Sequence, residues 1–238
     1  MSEERPRESP LPRKLYAEVL GTFFVTLTPA VVDILYYTTG HLEDLTRWLA
    51  RGFAVTAVIY SFSEVSGAHV DPAVSLGFVA RGVMAPWKAA LYVIAQFAGA
   101  FGACALIWLG WAPAIALGAS HPGPGQPAFH ALIAEIVLTF FLMTVILATA
   151  DAEFAVGKQA ALAVGFTVAV CGFIGGPISG ASMNPARSIV PQILGGLGGI
   201  SWIYLVGPCA GALLAALVAP LALGSPDRGE RQAAEGDS

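Results

Sequence analysis

A ten-residue segment occurs twice in this chain. Residues 66–75 read SGAHVDPAVS and residues 179–188 read SGASMNPARS. Each lies within apolar sequence. Each sets a Pro-Ala behind an acid or an amide: Asp71-Pro72-Ala73 and Asn184-Pro185-Ala186. Irregular backbone at membrane depth survives only where protein or a water-filled cavity satisfies its polar groups. A chain that breaks its helices at matching places in two halves therefore points to a pore or transport site at the breaks.

Composition requires the membrane setting. Of 238 residues, 56% are hydrophobic and 12% charged, and the mean hydropathy is +0.70. A soluble domain of this length carries more charge than that. Six stretches approach the length needed to cross about 30 Å of hydrocarbon: 15–37, 47–65, 87–109, 128–150, 159–177 and 201–222. Residues 1–13 and 223–238 are polar and are expected to be disordered ends. No cleavage site of small residues follows the first apolar run, which argues against a removed signal peptide. With six spans both ends share one face. Assigning that face to the cytoplasm places nine of the twelve basic residues there, as the positive-inside bias requires. Trp48, Trp87, Trp111 and Trp202 fall near span ends, where interfacial aromatics are common. Cys104, Cys171 and Cys209 lie in apolar spans, with no metal spacing or disulfide framework. No cofactor, metal or nucleic-acid partner is implied.

The repeat extends beyond the doubled segment. Residues 17–24 (AEVLGTFF) resemble 134–141 (AEIVLTFF), and 52–55 (GFAV) resemble 165–168 (GFTV). Each half has three spans, an odd number, so the halves sit in opposite orientation as an inverted repeat. Domain limits follow: a first repeat over about 14–110 and a second over about 128–222. Pro72 and Pro185 suit the first turn of a helix, where a missing N–H costs nothing. Asp71 and Asn184 suit the cap before it. Two short helices, near 72–81 and 185–194, are then expected to enter from opposite faces and point their positive dipole ends at each other. Glu18 and Glu135 are acids inside the first span of each half. They are expected to accept hydrogen bonds from the broken segments; the alternative for Glu18 is snorkelling to the interface.

These residues resemble the major intrinsic proteins, the aquaporins and aquaglyceroporins. The likeness covers residues 14 to about 222. It implies an all-α membrane fold of six spans and two re-entrant half-helices, a homotetramer with a pore in each subunit, and passive flow of water or small uncharged solutes across the bilayer. It also implies a central constriction at Asp71, Pro72, Ala73, Asn184, Pro185 and Ala186. A narrower filter nearer the outer mouth falls on Arg51, Gly172, the Ala181 carbonyl and Arg187. His69 would line the inner vestibule, where Glu64 either faces the pore or bonds the loop backbone.

Three positions depart from the family pattern. Asp71 stands in place of the first asparagine; it caps a helix equally well, but an ionised carboxylate only accepts hydrogen bonds. Arg51 stands where an aromatic or apolar residue is usual, and facing Arg187 it needs an acid to screen it. Asp33 and Arg51 each lie about four residues inside the same end of neighbouring spans, roughly 6 Å deep at the helical rise, so a pair between them is expected. The alternative is Arg51 snorkelling to headgroups. Gly172 widens the filter unless Arg51 refills it. A secondary transporter built on inverted repeats and a non-conducting protein of the same fold remain as other readings. No nucleophile–base pair suggests an enzyme.

Overall fold

A computed structural model describes residues 9–111, 116, 118–150 and 159–236. Its long helices are α1 (Leu11–Thr39), α2 (Asp44–Ser66), α4 (Pro86–Trp111), α5 (Ala128–Ala150), α6 (Ala160–Ser179) and α8 (Ser201–Leu223). Two ten-residue helices, α3 (Pro72–Arg81) and α7 (Pro185–Leu194), follow the doubled segments. Five of the six long helices are apolar enough to span a bilayer by composition. The sixth, α2, carries Asp44, Arg47, Arg51 and Glu64.

The bundle is built from three close helix pairs, α1 with α4, α5 with α8, and α2 with α6. Helices in lipid approach closely where small residues remove the side chain between them. Repeat mates serve here: a Cβ on Gly99 would strike the Val19 carbonyl, and a Cβ on Gly211 the Ile136 carbonyl. At the α2–α6 crossing the mates meet each other. A Cβ on Gly52 would stand 2.5 Å from the Gly165 oxygen, and a Cβ on Gly165 2.6 Å from the Gly52 oxygen. This contact marks the pseudo-two-fold axis between the halves. Gly165→Val is accordingly expected to lower the yield of monodisperse protein in detergent size-exclusion chromatography, because the added carbons meet the Thr56 side chain and, behind it, the Gly52 carbonyl, which cannot turn aside.

The C-terminal segment departs from the sequence expectation. Instead of a disordered tail, residues 228–235 form a further helix, α9 (Arg228–Glu235). Asp227 caps it by accepting from the Glu230 N–H at 2.8 Å, and Gly236 ends it in the left-handed region at φ 69°. Eight residues do not hold a helix alone in water; tertiary contacts hold this one. Arg81 at the end of α3 grips Glu230 through two bonds of 2.8 Å, and both side chains are buried. Lys88 donates to the Glu235 carboxylate at 2.6 Å, and Lys14 to the Glu235 carbonyl at 2.5 Å. Ala234 is fully buried in the apolar cluster of Val74, Phe78 and Tyr92. Helix α9 thus lies on the face where α1 begins, called the termini face below. Residues 1–8 lie outside the described residues.

Candidate functional site

The two broken segments are held alike. Glu18 accepts at Oε1 from Ser66 Oγ (2.7 Å) and the His69 N–H (3.0 Å), and at Oε2 from the Val70 N–H (2.7 Å) and Gln96 Nε2 (2.8 Å). Glu135 accepts at Oε1 from Ser179 Oγ (2.7 Å) and the Ser182 N–H (2.9 Å), and at Oε2 from the Met183 N–H (2.7 Å). Both glutamates are fully buried, so Glu18 does not snorkel. Tyr92 and Tyr204 donate to the Ser66 and Ser179 carbonyls at 2.9 and 2.6 Å.

Backbone strain accompanies this bonding. Ala68, Val70, Ala181 and Met183 all have positive φ, between 44° and 56°. That region is costly for a side chain and most of all for a β-branched one such as Val70. Its effect is to aim the backbone. In a trans peptide the carbonyl points away from the N–H. With the N–H groups of His69 and Val70 turned to Glu18, the carbonyls of Ala68 and His69 turn the other way. Glu135 turns those of Ala181 and Ser182 likewise. All four residues line a cavity of about 610 Å³.

At its centre the half-helices meet N-terminus to N-terminus. Asp71 Oδ1 accepts from the Ala73 N–H at 2.7 Å, and Asn184 Oδ1 from the Arg187 N–H at 3.1 Å. Asn184 Nδ2 crosses to the first loop and donates to the Val70 carbonyl at 2.8 Å. Pro72, Ala73, Pro185 and Ala186 form the first turns behind these caps and are buried.

The far end of the cavity is walled by Arg51, Ala181 and Arg187. Arg51 Nη2 donates to Asp33 Oδ2 at 2.5 Å, and its Nη1 to the Gly180 carbonyl at 2.8 Å. It therefore bridges α1 and the second loop instead of reaching to headgroups. Arg47 takes the other Asp33 oxygen at 2.9 Å. Arg187 Nη2 stands 3.6 Å from Asp33 Oδ2. Arg187 Nη1 donates to Ser120 Oγ, and Ser120 also accepts from Ser188 Oγ at 2.7 Å and, at its carbonyl, from Gln192 Nε2 at 2.7 Å. Ser120, in the loop before α5, had no pattern in the sequence to single it out.

Gly172 is placed differently from the expectation. It does not line the cavity. Trp48 fills the space it leaves: a Cβ there would stand 2.7 Å from the indole. Trp48 is buried at 4% exposure rather than interfacial, with the Arg51 guanidinium 4.4 Å above its ring. Glycine at 172 thus admits an indole from α2 and does not open the passage. Trp87 and Trp202, by contrast, are about half exposed.

At the termini face, Glu64 and His69 both line the cavity. Glu64 is exposed, and the loop N–H groups go to Glu18, so the backbone-bonding alternative for Glu64 is replaced by a place in the vestibule wall. His69 is buried between Phe78, stacked at 4.8 Å, and Tyr92, with Nδ1 3.0 Å from Ser75 Oγ. Gly229, Gln232 and Ala233 of α9 complete this wall. A Cβ on Gly67 would strike the Ala233 carbonyl, and one on Gly236 the N–H groups of Ser66 and Gly67. The end of α9 is seated directly on the entry of the first broken segment, a contact the sequence reading missed. Asp227, Glu230 and Gly236 were its signal, a capping box and a C-terminal glycine.

Two half-helices meeting end to end inside a six-helix bundle, with a carbonyl-lined cavity past their tips, define a membrane channel and not an enzyme. The chain belongs to the major intrinsic protein family, which it matches over residues 6–219. It is 40% identical over 204 residues to aquaporin NIP1-4 of Oryza sativa subsp. japonica, covering 83% of this chain and 72% of that one. It is also 40% identical over 210 residues to putative aquaporin NIP4-1 of Arabidopsis thaliana, with 85% and 72% covered. The fold is that of the aquaglyceroporin from Plasmodium falciparum, with TM-score 0.82, 24% identity, and 90% and 97% of the two chains covered.

Proposed function

We propose that this protein is a passive channel for water and small uncharged solutes such as glycerol. In this reading it acts as a homotetramer in the cell membrane with both termini in the cytoplasm. The observation that carries the reading is the continuous cavity from α9, past Asp71 and Asn184, to Arg51 and Arg187. Its lining supplies what a neutral solute in single file needs: backbone carbonyls to accept hydrogen bonds, arginines to donate them, and apolar walls such as Val55, Leu142 and Val168. Facing half-helix dipoles and the arginines oppose cations. The basic residues Lys14, Arg81 and Lys88, gathered around α9, support a cytoplasmic termini face.

Asp71 and Arg51 give this channel its own character. Asp71 caps α3 through Ala73 and brings a carboxyl group to the centre of the path. Asp71→Asn is expected to retain the fold, since asparagine caps as well, and to lower proton leak measured with a pH-sensitive dye in proteoliposomes. Equal leak in both proteins restricts Asp71 to capping.

Stopped-flow light scattering of reconstituted protein under water, glycerol and urea gradients tests the function. Acceleration over empty vesicles that does not saturate with solute supports a channel. Saturable, ion-coupled flux points to a transporter. Vesicles no faster than empty ones point to a non-conducting protein of the same fold.

A further inference from the structure

The repeat runs past the two bundles of helices. At the spacing of 113 residues that relates Asp71 to Asn184, the segment joining the halves, 111–123, corresponds to the C-terminal segment 224–236. Pro113 is matched by Pro226 and Gly123 by Gly236. Their seats correspond as well. A Cβ on Gly180 would stand 3.2 Å from the His121 carbonyl and 3.6 Å from the Ser120 Cα. A Cβ on its mate Gly67 would strike the carbonyl of Ala233, the mate of Ser120. Gly123 donates its N–H to the Ile178 carbonyl at 3.1 Å, and a Cβ on Gly236 would meet the backbone between Val65, the mate of Ile178, and Gly67. The joining segment and the tail thus cap the two broken segments at equivalent places, one at each mouth of the path, and the tail does so as the helix α9.

The two caps act differently on the path. At the far mouth Ser120 stands behind the wall and holds Arg187 and Ser188. At the termini face the cap enters the wall itself, through Gly229, Gln232 and Ala233. The wall there is as enclosed as at the far end: Ala68 is 6% exposed and its mate Ala181 3%, and both line the cavity. Of the three α9 residues, Gln232 has the long polar side chain. Its amide makes no hydrogen bond among the described residues, so its donors and its acceptor are available to a passing molecule. Gln232 also borders a second pocket, of about 270 Å³, with Arg228 and Arg231 on the outer side of α9. It therefore stands where the cavity opens toward the termini face.

We propose that α9 builds a second, inner constriction of the path, and that Gln232 is its specificity-determining residue for neutral solutes. This constriction rests on the reading of the chain as a channel and adds to it a filter at the mouth opposite Arg51 and Arg187. Selection among neutral solutes follows the width of the passage and the hydrogen-bonding groups along it. The bulk of the Gln232 side chain sets the width, so that water passes and the wider glycerol is held back. Its amide exchanges hydrogen bonds with whatever enters, which keeps the narrow mouth wet.

Stopped-flow light scattering of proteoliposomes at matched protein density gives the water and glycerol permeabilities of the unmodified protein, Gln232→Ala, Gln232→Leu and Arg231→Ala. Gln232→Ala leaves the Arg81–Glu230 and Lys88–Glu235 anchors of α9 in place. It is expected to raise glycerol permeability severalfold and water permeability less, so that the water-to-glycerol ratio falls. Gln232→Leu has nearly the same bulk and is expected to keep the ratio of the unmodified protein. Arg231 is exposed on the same helix and stands outside the cavity wall, so Arg231→Ala is expected to leave the ratio alone. An unchanged ratio in Gln232→Ala overturns the inner constriction and leaves the channel reading intact. An equal fall in Gln232→Leu removes width as the cause, and an equal fall in Arg231→Ala traces the effect to the hold on α9; either result overturns the constriction too. Unmodified vesicles no faster than empty ones overturn both readings together.

Discussion

Deleting residues 224–238 is expected to raise the osmotic water permeability of reconstituted protein several-fold. Helix α9 places Gly229, Gln232 and Ala233 in the cavity wall at the termini face, and its end rests on Ser66 and Gly67. Removing it uncovers His69 and leaves Arg81 free to hydrate. The point variant Glu230→Gln should move the same way. With α9 docked, that variant would leave the Arg81 guanidinium buried without its carboxylate, and breaking a buried pair on one side costs about 3–5 kcal/mol. Undocking avoids this cost, because water then solvates Arg81. Stopped-flow traces of the three proteins, with reconstitution density matched, decide the matter. Equal permeability in all three means that water reaches the cavity without displacing α9.

The second large effect concerns the glutamates behind the broken segments. Glu135→Ala strands the buried Ser182 and Met183 N–H groups, while Ser179 Oγ keeps the Gly175 carbonyl at 3.4 Å. At roughly 1–3 kcal/mol for each stranded group, the loss approaches the lower end of the stability of an ordinary fold, about 5–15 kcal/mol. This variant is expected to yield little monodisperse protein. Glu135→Gln is milder: one amide oxygen still accepts, while the new NH₂ faces a backbone N–H. Glu18→Gln meets the same backbone geometry in the other half, since Val70 stands to Glu18 as Met183 does to Glu135, but Gln96 Nε2 donates to the same Glu18 oxygen and has no counterpart at Glu135. A turn of the Gln96 amide presents its oxygen to the new NH₂, so Glu18→Gln should lower Tm in detergent by less than Glu135→Gln. An equal or larger loss for Glu18→Gln would mean that Gln96 does not turn.

The fold was legible because its signals are local and doubled. Proline behind a capping residue sets the start of a half-helix wherever it lies, and the matched halves gave the inversion by counting spans. The Asp33–Arg51 pair was legible for a similar reason: two neighbouring antiparallel helices bring residues of equal depth together, and depth is read from the helical rise. Trp48 was not legible. A tryptophan near a span end fits an interface and a core equally well, and the absence of side chains at Gly172 and Gly176, on another helix, decides between them. Helix α9 was misjudged on composition. Its polar sequence suits a solvated tail, but its charges find partners on α3 and α4, far away in sequence. Ser120 illustrates the same limit, since a serine in a loop carries no mark of the arginine it holds.

Gly52 and Gly165, touching as mates across the pseudo-axis, make this chain a fused counterpart of a two-fold dimer, in which one surface patch packs against its own copy. A dimer of identical subunits has no way to tell its two ends apart. Fusion removes that restriction, because each half mutates alone. Arg51 corresponds by position to Val164, and Arg187 to Val74, each pair separated by 113 residues, as Asp71 and Asn184 are. Both arginines stand at one end of the cavity and both valines line it elsewhere. The scaffold is without direction, and a few side chains give it one. A charged visitor from the far face meets cations at once, whereas one from the termini face first meets a helix and the Glu64 carboxylate.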